Sequence, residues 1–398
     1  MKTKKKKIRS SLSSFPDFIS EHSSVIKESF IALLICALGD LFAGIVLGNM
    51  TFFLETFPGL LVIIPGAIGM RSPKFEFSEH LNNNIISSFV LTLILSLFLA
   101  ILAKIFCILF NYESISLIDL VLISVIAGII SNLIMLPITM LISFKSFNHG
   151  WDPDNVTTPI IAAAGDLFTL PAIIASVYIL SFLNTNLSLK NIVFIIAVFL
   201  IIAAFIYTIK RGEESKKIIY QSTPILILCS ILGVSAGGIL NGSLETLLTN
   251  HSLLTLLPLF SGVSGSLISI LSARLSSGLH YGLIEPLKRP TGESIHNFLI
   301  CYILALVMYP LIGFIAEDST GLMGLTGVGF VNIMSISFIS GFLLLSLMIF
   351  VVYLISITSY NKDLDPDNIV IPISTSVTDV FSSLTLITIS LLILGALI

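Results

Sequence analysis

The chain has 398 residues, of which 55% are apolar and 11% charged, with a formal net charge of −3. A soluble domain carries about 25% charged residues, so this chain cannot cover a water-exposed surface and its main solvent must be lipid. Nothing in the charge balance calls for a nucleic-acid partner, and none is expected.

Residues 1–25 open with Lys2, Lys4, Lys5, Lys6, Lys7 and Arg9 and then turn polar. A cleaved signal would need an apolar stretch and a small-residue site straight after such charges. The segment is read as a retained basic tail. A spanning helix needs roughly 20 apolar residues. Runs near 26–50, 57–72, 85–111, 116–144, 157–183, 191–209, 221–242, 253–272, 295–316, 327–358 and 370–398 predict about 11 crossings. The second and eighth are the weakest, interrupted by Pro65, Gly66 and Gly69 and by Pro258, Gly262 and Gly265. Such residues at membrane depth predict a broken helix lining a cavity, or else close helix packing through small residues.

Positive charge orients the chain. With the N-terminus inside, 18 of the 20 Lys and Arg fall on the cytoplasmic side; Lys190 lies outside and Lys104 within a span. The expectation is a multi-pass plasma-membrane protein with a cytoplasmic N-terminus and an extracellular C-terminus. Cys36, Cys107, Cys229 and Cys301 lie far apart within apolar runs and are expected as buried small hydrophobes.

The chain repeats itself. Residues 152–168 and 365–381 share eight of seventeen positions at an offset of 213, including Asp152/Asp365, Asp154/Asp367, Asn155/Asn368, Pro159/Pro372 and Asp166/Asp379. Gly128/Gly341 keep that offset, and the first spans pair Gly39/Gly233, Gly44/Gly238 and Gly48/Gly242 at an offset of 194. Two five-span repeats follow, 26–183 and 221–398, joined by 184–220 with the extra crossing 191–209. Five crossings would invert the second unit, and the added one restores its direction. The predicted fold is an all-α polytopic membrane protein of two parallel repeats about a pseudo-two-fold axis along the membrane normal. Such an internal pseudo-dimer can work as a monomer in the bilayer.

An ionised carboxylate at membrane depth marks function by default, and Asp40, Asp166 and Asp379 lie there. Asp152 and Asp365 are N-caps followed by proline, which starts a helix, and Asp154 and Asp367 lie in the first turn, where the helix dipole favours negative charge; the alternative to helix-start chemistry is an acidic cytoplasmic mouth that gathers cations. Asp166 lies about 20 Å further along, on one stripe with Asn155 and Ala162, as Asp379 does with Asn368 and Thr375. Pro159 and Pro372 each free a carbonyl of the preceding turn. Two carboxylates facing across the axis match a divalent cation. Among hard ions Mg²⁺ prefers oxygen and keeps its waters, so a largely hydrated ion fits. No His or Cys stands beside Asp166 or Asp379 in sequence, which argues against a site tuned for a soft metal. Asp40 pairs with Val234 in the repeat. It could line the pathway, take a proton, or pair with Lys104. His80 and His280 are read as loop or interface residues. Glu76 and Glu79 occur in the first unit alone, so the halves are not expected to be functionally identical.

The stretches at 150–171 (GWDPDNVTTPIIAAAGDLFTLP), 364–379 (LDPDNIVIPISTSVTD) and 258–277 (PLFSGVSGSLISILSARLSS) resemble the MgtE membrane domain, and most closely the solute carrier 41 branch, in which two such domains are fused. That resemblance implies Mg²⁺ transport rather than enzymatic activity. It places the pore ion on Asp166 and Asp379, and more loosely on the backbone at Ala162 and Thr375. Ser72-Pro73, His80-Leu81 and Ser266 depart from the family pattern, which weakens the second-span ligands chiefly in the first unit. Na⁺ or H⁺ is the candidate coupling ion if the protein exchanges rather than conducts. The rival readings are a secondary transporter of an organic solute and, through Gly39-Asp40 and Gly165-Asp166, an intramembrane aspartyl protease.

Overall fold

The computed structural model describes residues 15–48, 80–149, 153–210, 213–287, 289–290, 292–362 and 366–395, and every regular element among them is a helix. In chain order these are α1 (Phe15–Glu21), α2 (Ser23–Gly48), α3 (His80–Leu109), α4 (Leu117–His149), α5 (Pro153–Asn184) and α6 (Leu187–Lys210). They are followed by α7 (Glu213–Gly242), α8 (Leu244–Thr249), α9 (His251–His280), α10 (Glu293–Leu322), α11 (Phe330–Asn361) and α12 (Pro366–Gly395). All but α1 and α8 are long and apolar enough to cross a membrane, which gives 10 candidate spans among the described residues. The run at 57–72, together with Glu76 and Glu79, lies outside the described residues.

Most helices outrun their apolar stretches. The largest difference is α9, expected as a short, interrupted segment and found as one continuous helix of 30 residues with Pro258 inside it. The predicted break is therefore absent in α9, and close packing explains Gly262, though not Gly265, beside which there is open space. A Cβ at Gly262 would collide with the carboxylate of Asp40 on α2. Serines along α9 return bonds to their own helix or its neighbours: Ser269 to the Gly265 carbonyl (2.8 Å), Ser264 to Tyr309 (3.1 Å) and Ser272 to Ser374 (3.0 Å).

α9 is the centre of the assembly. Its span is 89% buried, against at most 44% for any other and 11% for α6. It packs on α2, α5, α10, α11 and α12. α6 lies at the periphery, touching α3, α4, α5 and α7, and turns a row of large apolar side chains such as Ile195, Phe199 and Ile202 outward.

Helix starts keep the spacing of the sequence repeat. Glu293, Phe330 and Pro366, which open α10, α11 and α12, are the repeat partners of His80, Leu117 and Pro153, which open α3, α4 and α5. The pairings also recur: α2 on α5 and α7 on α12, α4 on α5 and α11 on α12, α3 on α4 and α10 on α11. Two more cross between the halves, α3 on α7 and α10 on α2. Single bonds follow the same register. Ser124 donates to the Ser96 carbonyl (2.8 Å), and its repeat partner Ser337 donates to that of Tyr309 (2.7 Å). Gly128 sits against the Ser96 side chain, as Gly341 does against the Tyr309 ring.

One equivalent pair has exchanged its charge. Lys104 near the end of α3 donates to the Ser114 hydroxyl (2.7 Å) and the Ile115 carbonyl (2.9 Å) of the following loop. It therefore anchors that loop, and the alternative of a Lys104–Asp40 pair is not realised. At the corresponding place on α10, Glu317 accepts the Gly329 N–H (2.8 Å), and Gly327 lies so close that a Cβ there would overlap the carboxylate. Gly329 adopts φ +89°, a conformation open to glycine at little cost. One loop thus turns carbonyls toward a cation and the other turns an amide toward an anion.

Candidate cation site between the halves

Asp379 lies on α12, nine residues into a span that starts at Val370, about 14 Å along the axis at 1.5 Å per residue. Its side chain is partly exposed, not sealed. One carboxylate oxygen accepts from the Ser261 hydroxyl of α9 at 2.8 Å. A turn earlier, Thr375 donates its hydroxyl back to the Ile371 and Pro372 carbonyls (3.0 and 3.1 Å), so its oxygen keeps lone pairs for an outside donor or a cation.

Ser261 and Gly262 are neighbours on α9, and between them they touch both described intramembrane aspartates. Ser261 reaches Asp379; Gly262 makes room for Asp40. Asp40 differs in environment: it is fully buried on α2. The Cys36 thiol donates to its Oδ2 at 3.1 Å and lies 3.1 Å from the Ser266 hydroxyl of α9. A carboxylate this deep is stable only when its charge is offset or neutralised. Asp379 is thus partly accessible, while Asp40 is enclosed in the seam between α2 and α9.

No His or Cys neighbours Asp379 in sequence, but the fold brings one cysteine against the same helix. Cys229 on α7 lies within electrostatic reach of Asp379, and its thiol donates to the Pro372 carbonyl at 3.5 Å. The two residues stand at opposite ends of the second repeat, so the sequence hides this neighbour. All four cysteines are buried thiols, as expected.

The other expected ligands fall at the edge of the description. Asp166 and Ala162 lie on α5 and Asn155 near its start, in the same register as Asp379, Thr375 and Asn368 on α12; the side chains of Asp166, Ala162, Asn155 and Asn368 are outside the described residues, as are Asp152 and Asp365. α5 and α12 both pack on α9, so the two helices that carry the repeated aspartates share one central neighbour. His280, read as an interface residue, ends α9 edge-on to the Tyr360 ring, with centroids 5.8 Å apart; His80 starts α3 with its side chain outside the description.

Residues 66–176 and 257–389 match the family model MgtE, described as a divalent cation transporter. Solute carrier family 41 member 2 of Mus musculus is 30% identical over 176 residues, 42% of this chain and 29% of that protein. Member 3 of Rattus norvegicus is 29% identical over 149 residues, 37% of this chain and 31% of that protein. Member 2 of Homo sapiens is 30% identical over 165 residues, 39% of this chain and 26% of that protein. The aligned part of the chain thus spans less than a third of each of these relatives. No solved structure matches.

Proposed function

The chain belongs to the MgtE family of divalent cation transporters, and from that premise we propose that it carries Mg²⁺ across the plasma membrane through a pathway between its two halves. The two halves are parallel copies of one five-helix unit, 26–183 and 221–398, about an axis along the membrane normal. Asp166 and Asp379 hold a largely hydrated ion there, with Asn155, Asn368, Ala162 and Thr375 on the same helix stripes and Asp152 and Asp365 at the cytoplasmic mouth. The observation that carries the reading is Asp379: a carboxylate at membrane depth, partly exposed and oriented by Ser261 from the central helix. A structural aspartate at that depth would be closed in, as Asp40 is.

Two carboxylates with hydroxyl oxygens such as those of Ser261 and Thr375 beside them suit a hard cation that gives up water reluctantly. The Cys229 thiol, engaged with a carbonyl, leaves the oxygens to face the ion. Asp40, buried in the α2–α9 seam, serves as a proton acceptor or a helix-seam anchor and not as a first contact for the ion. The fused pseudo-dimer functions as one chain, with the N-terminus cytoplasmic and the C-terminus extracellular.

The test is Mg²⁺ flux into proteoliposomes, with and without a Na⁺ or H⁺ gradient, for the wild type and for Asp166→Asn/Asp379→Asn. The double variant should lose transport. Undiminished flux would overturn the site; flux of another ion but not Mg²⁺ in the wild type would overturn the substrate. A gradient dependence would identify exchange and name the coupling ion.

A further inference from the structure

Away from the aspartates, three side chains converge where α1 meets α2 and α10 begins. His22 joins α1 to α2, and Glu293 and His296 stand in the first turn of α10. Each offers one ligand atom, and these atoms all lie within 4.8 Å of one another. His22 precedes the first span and the other two belong to the second repeat, so only the fold brings them together.

The arrangement carries marks of a binding site beyond proximity. The His22 Nδ1 lies 3.1 Å from the Phe18 carbonyl. A carbonyl can only accept, so Nδ1 holds the proton, and in the neutral ring Nε2 keeps its lone pair. Metal-ligating histidines are fixed in this way, by a backbone carbonyl on the other ring nitrogen that sets the tautomer. The Phe18 ring stacks on His22 (centroids 4.4 Å) and meets His296 edge-on (5.5 Å). Phe18 is only 6% exposed, so it forms an apolar floor that holds both imidazoles in place. Glu293 Oε2 stands 3.6 Å from His296 Nδ1. All three ligand side chains are half-buried, which leaves room for water or a further ligand.

We propose that His22, Glu293 and His296 bind a borderline first-row transition ion, Zn²⁺ or Co²⁺, and that the ion fastens α1 to the start of α10. Two imidazoles and one carboxylate with an open position are a Zn²⁺ donor set, and imidazole selects against Mg²⁺. Metal–ligand bonds of about 2.0–2.1 Å put tetrahedral ligands about 3.3 Å apart, so ligand atoms that lie within 4.8 Å of one another need to close by at most about 1.5 Å. The site is not duplicated: at the repeat offsets, His22 becomes Lys216, and Glu293 and His296 become His80 and Asn83. A transition ion would therefore tie the N-terminal helix to the second half, with no counterpart in the first. The inference stands whichever ion the pathway carries.

Cobalt reports this directly, because four-coordinate Co²⁺ absorbs visible light far more strongly than the hydrated ion. Untagged full-length protein in detergent, titrated with Co²⁺, should develop a band that saturates at one equivalent and is displaced by Zn²⁺. The band should vanish in His22→Ala and in His296→Ala, with apparent Zn²⁺ affinity down at least about 100-fold, since even the loss of such an outer partner costs 10–100-fold. It should persist in Asp379→Asn. Glu293→Gln, which keeps the side chain's size, guards against a folding artefact and should also weaken binding. Zn²⁺ should protect the 15–22 segment from proteolysis in the wild type and not in the variants. No band in the wild type, a band unchanged in both histidine variants, or a band lost in Asp379→Asn would each overturn the proposal.

Discussion

Gly262 is the point at which the packing of this molecule can be tested most sharply. Its Cα faces the Asp40 carboxylate so closely that a Cβ would occupy the same space. Overpacking a close contact costs about 1–3 kcal/mol, so Gly262→Ala should destabilise the fold by that amount. In the background of Asp40→Ala the carboxylate is gone, and Cys36 and Ser266 keep their own contact. There the same substitution should show only the helix preference of alanine over glycine, about 0.8–1.0 kcal/mol in its favour. The double-mutant cycle should therefore return a coupling of about 2–4 kcal/mol, large for two residues in contact. The assay is unfolding of the four purified proteins in detergent, by heat and by SDS. The single variant should melt a few degrees below the wild type, and the double variant at or above Asp40→Ala. A Gly262→Ala protein as stable as the wild type, or one whose cost is the same in both backgrounds, would refute the packing argument.

Three further outcomes follow from single contacts. Ser261→Ala removes the hydroxyl that orients Asp379; a hydrogen bond to a charged group contributes about 1.5–3 kcal/mol. Half-saturation for Mg²⁺ in the flux assay should rise about tenfold or more, whereas the Asp166→Asn/Asp379→Asn protein should not transport at any concentration. Lys104→Glu sets a carboxylate against the Ile115 carbonyl and the Ser114 oxygens, and should lower the melting temperature more than Lys104→Met. Glu317→Gln keeps an acceptor for the Gly329 N–H and should cost least of the three, as read by thermal unfolding.

The repeat was legible because it is written in residues with few substitutes: aspartate, proline and asparagine at a helix start, and glycine at close contacts. Periodicity and apolar length placed ten of the helices, since lipid leaves little choice for a run of that kind. The continuity of α9 was not legible. Proline and glycine suggest interruption unless one knows what lies against them, and Gly262 is explained by Asp40, which belongs to the other half of the chain. The same holds for the site. Asp379 could be found from its depth and its copy at Asp166, but Ser261 and Cys229 enter through tertiary packing alone. The partners of Lys104 lie in the very next loop, yet a charged residue inside a span suggested another charge, and not the loop carbonyls it serves. The cluster at His22 escaped for a related reason: none of its members is unusual in its own segment.

Lys104 and Glu317 have an effect on the pathway that neither has on its own loop. An exact two-fold axis forbids any transverse electric field on itself, because every charge is cancelled sideways by its copy. In the proposed arrangement these two residues occupy equivalent places with opposite signs, so the cancellation turns into addition. An ion descending the axis near that end of the helices is drawn toward the second half and away from the first. A fused chain can build such a sideways bias; two identical subunits cannot. In that arrangement the direction an ion leans before it reaches the proposed site at Asp166 and Asp379 would be set by the fusion itself.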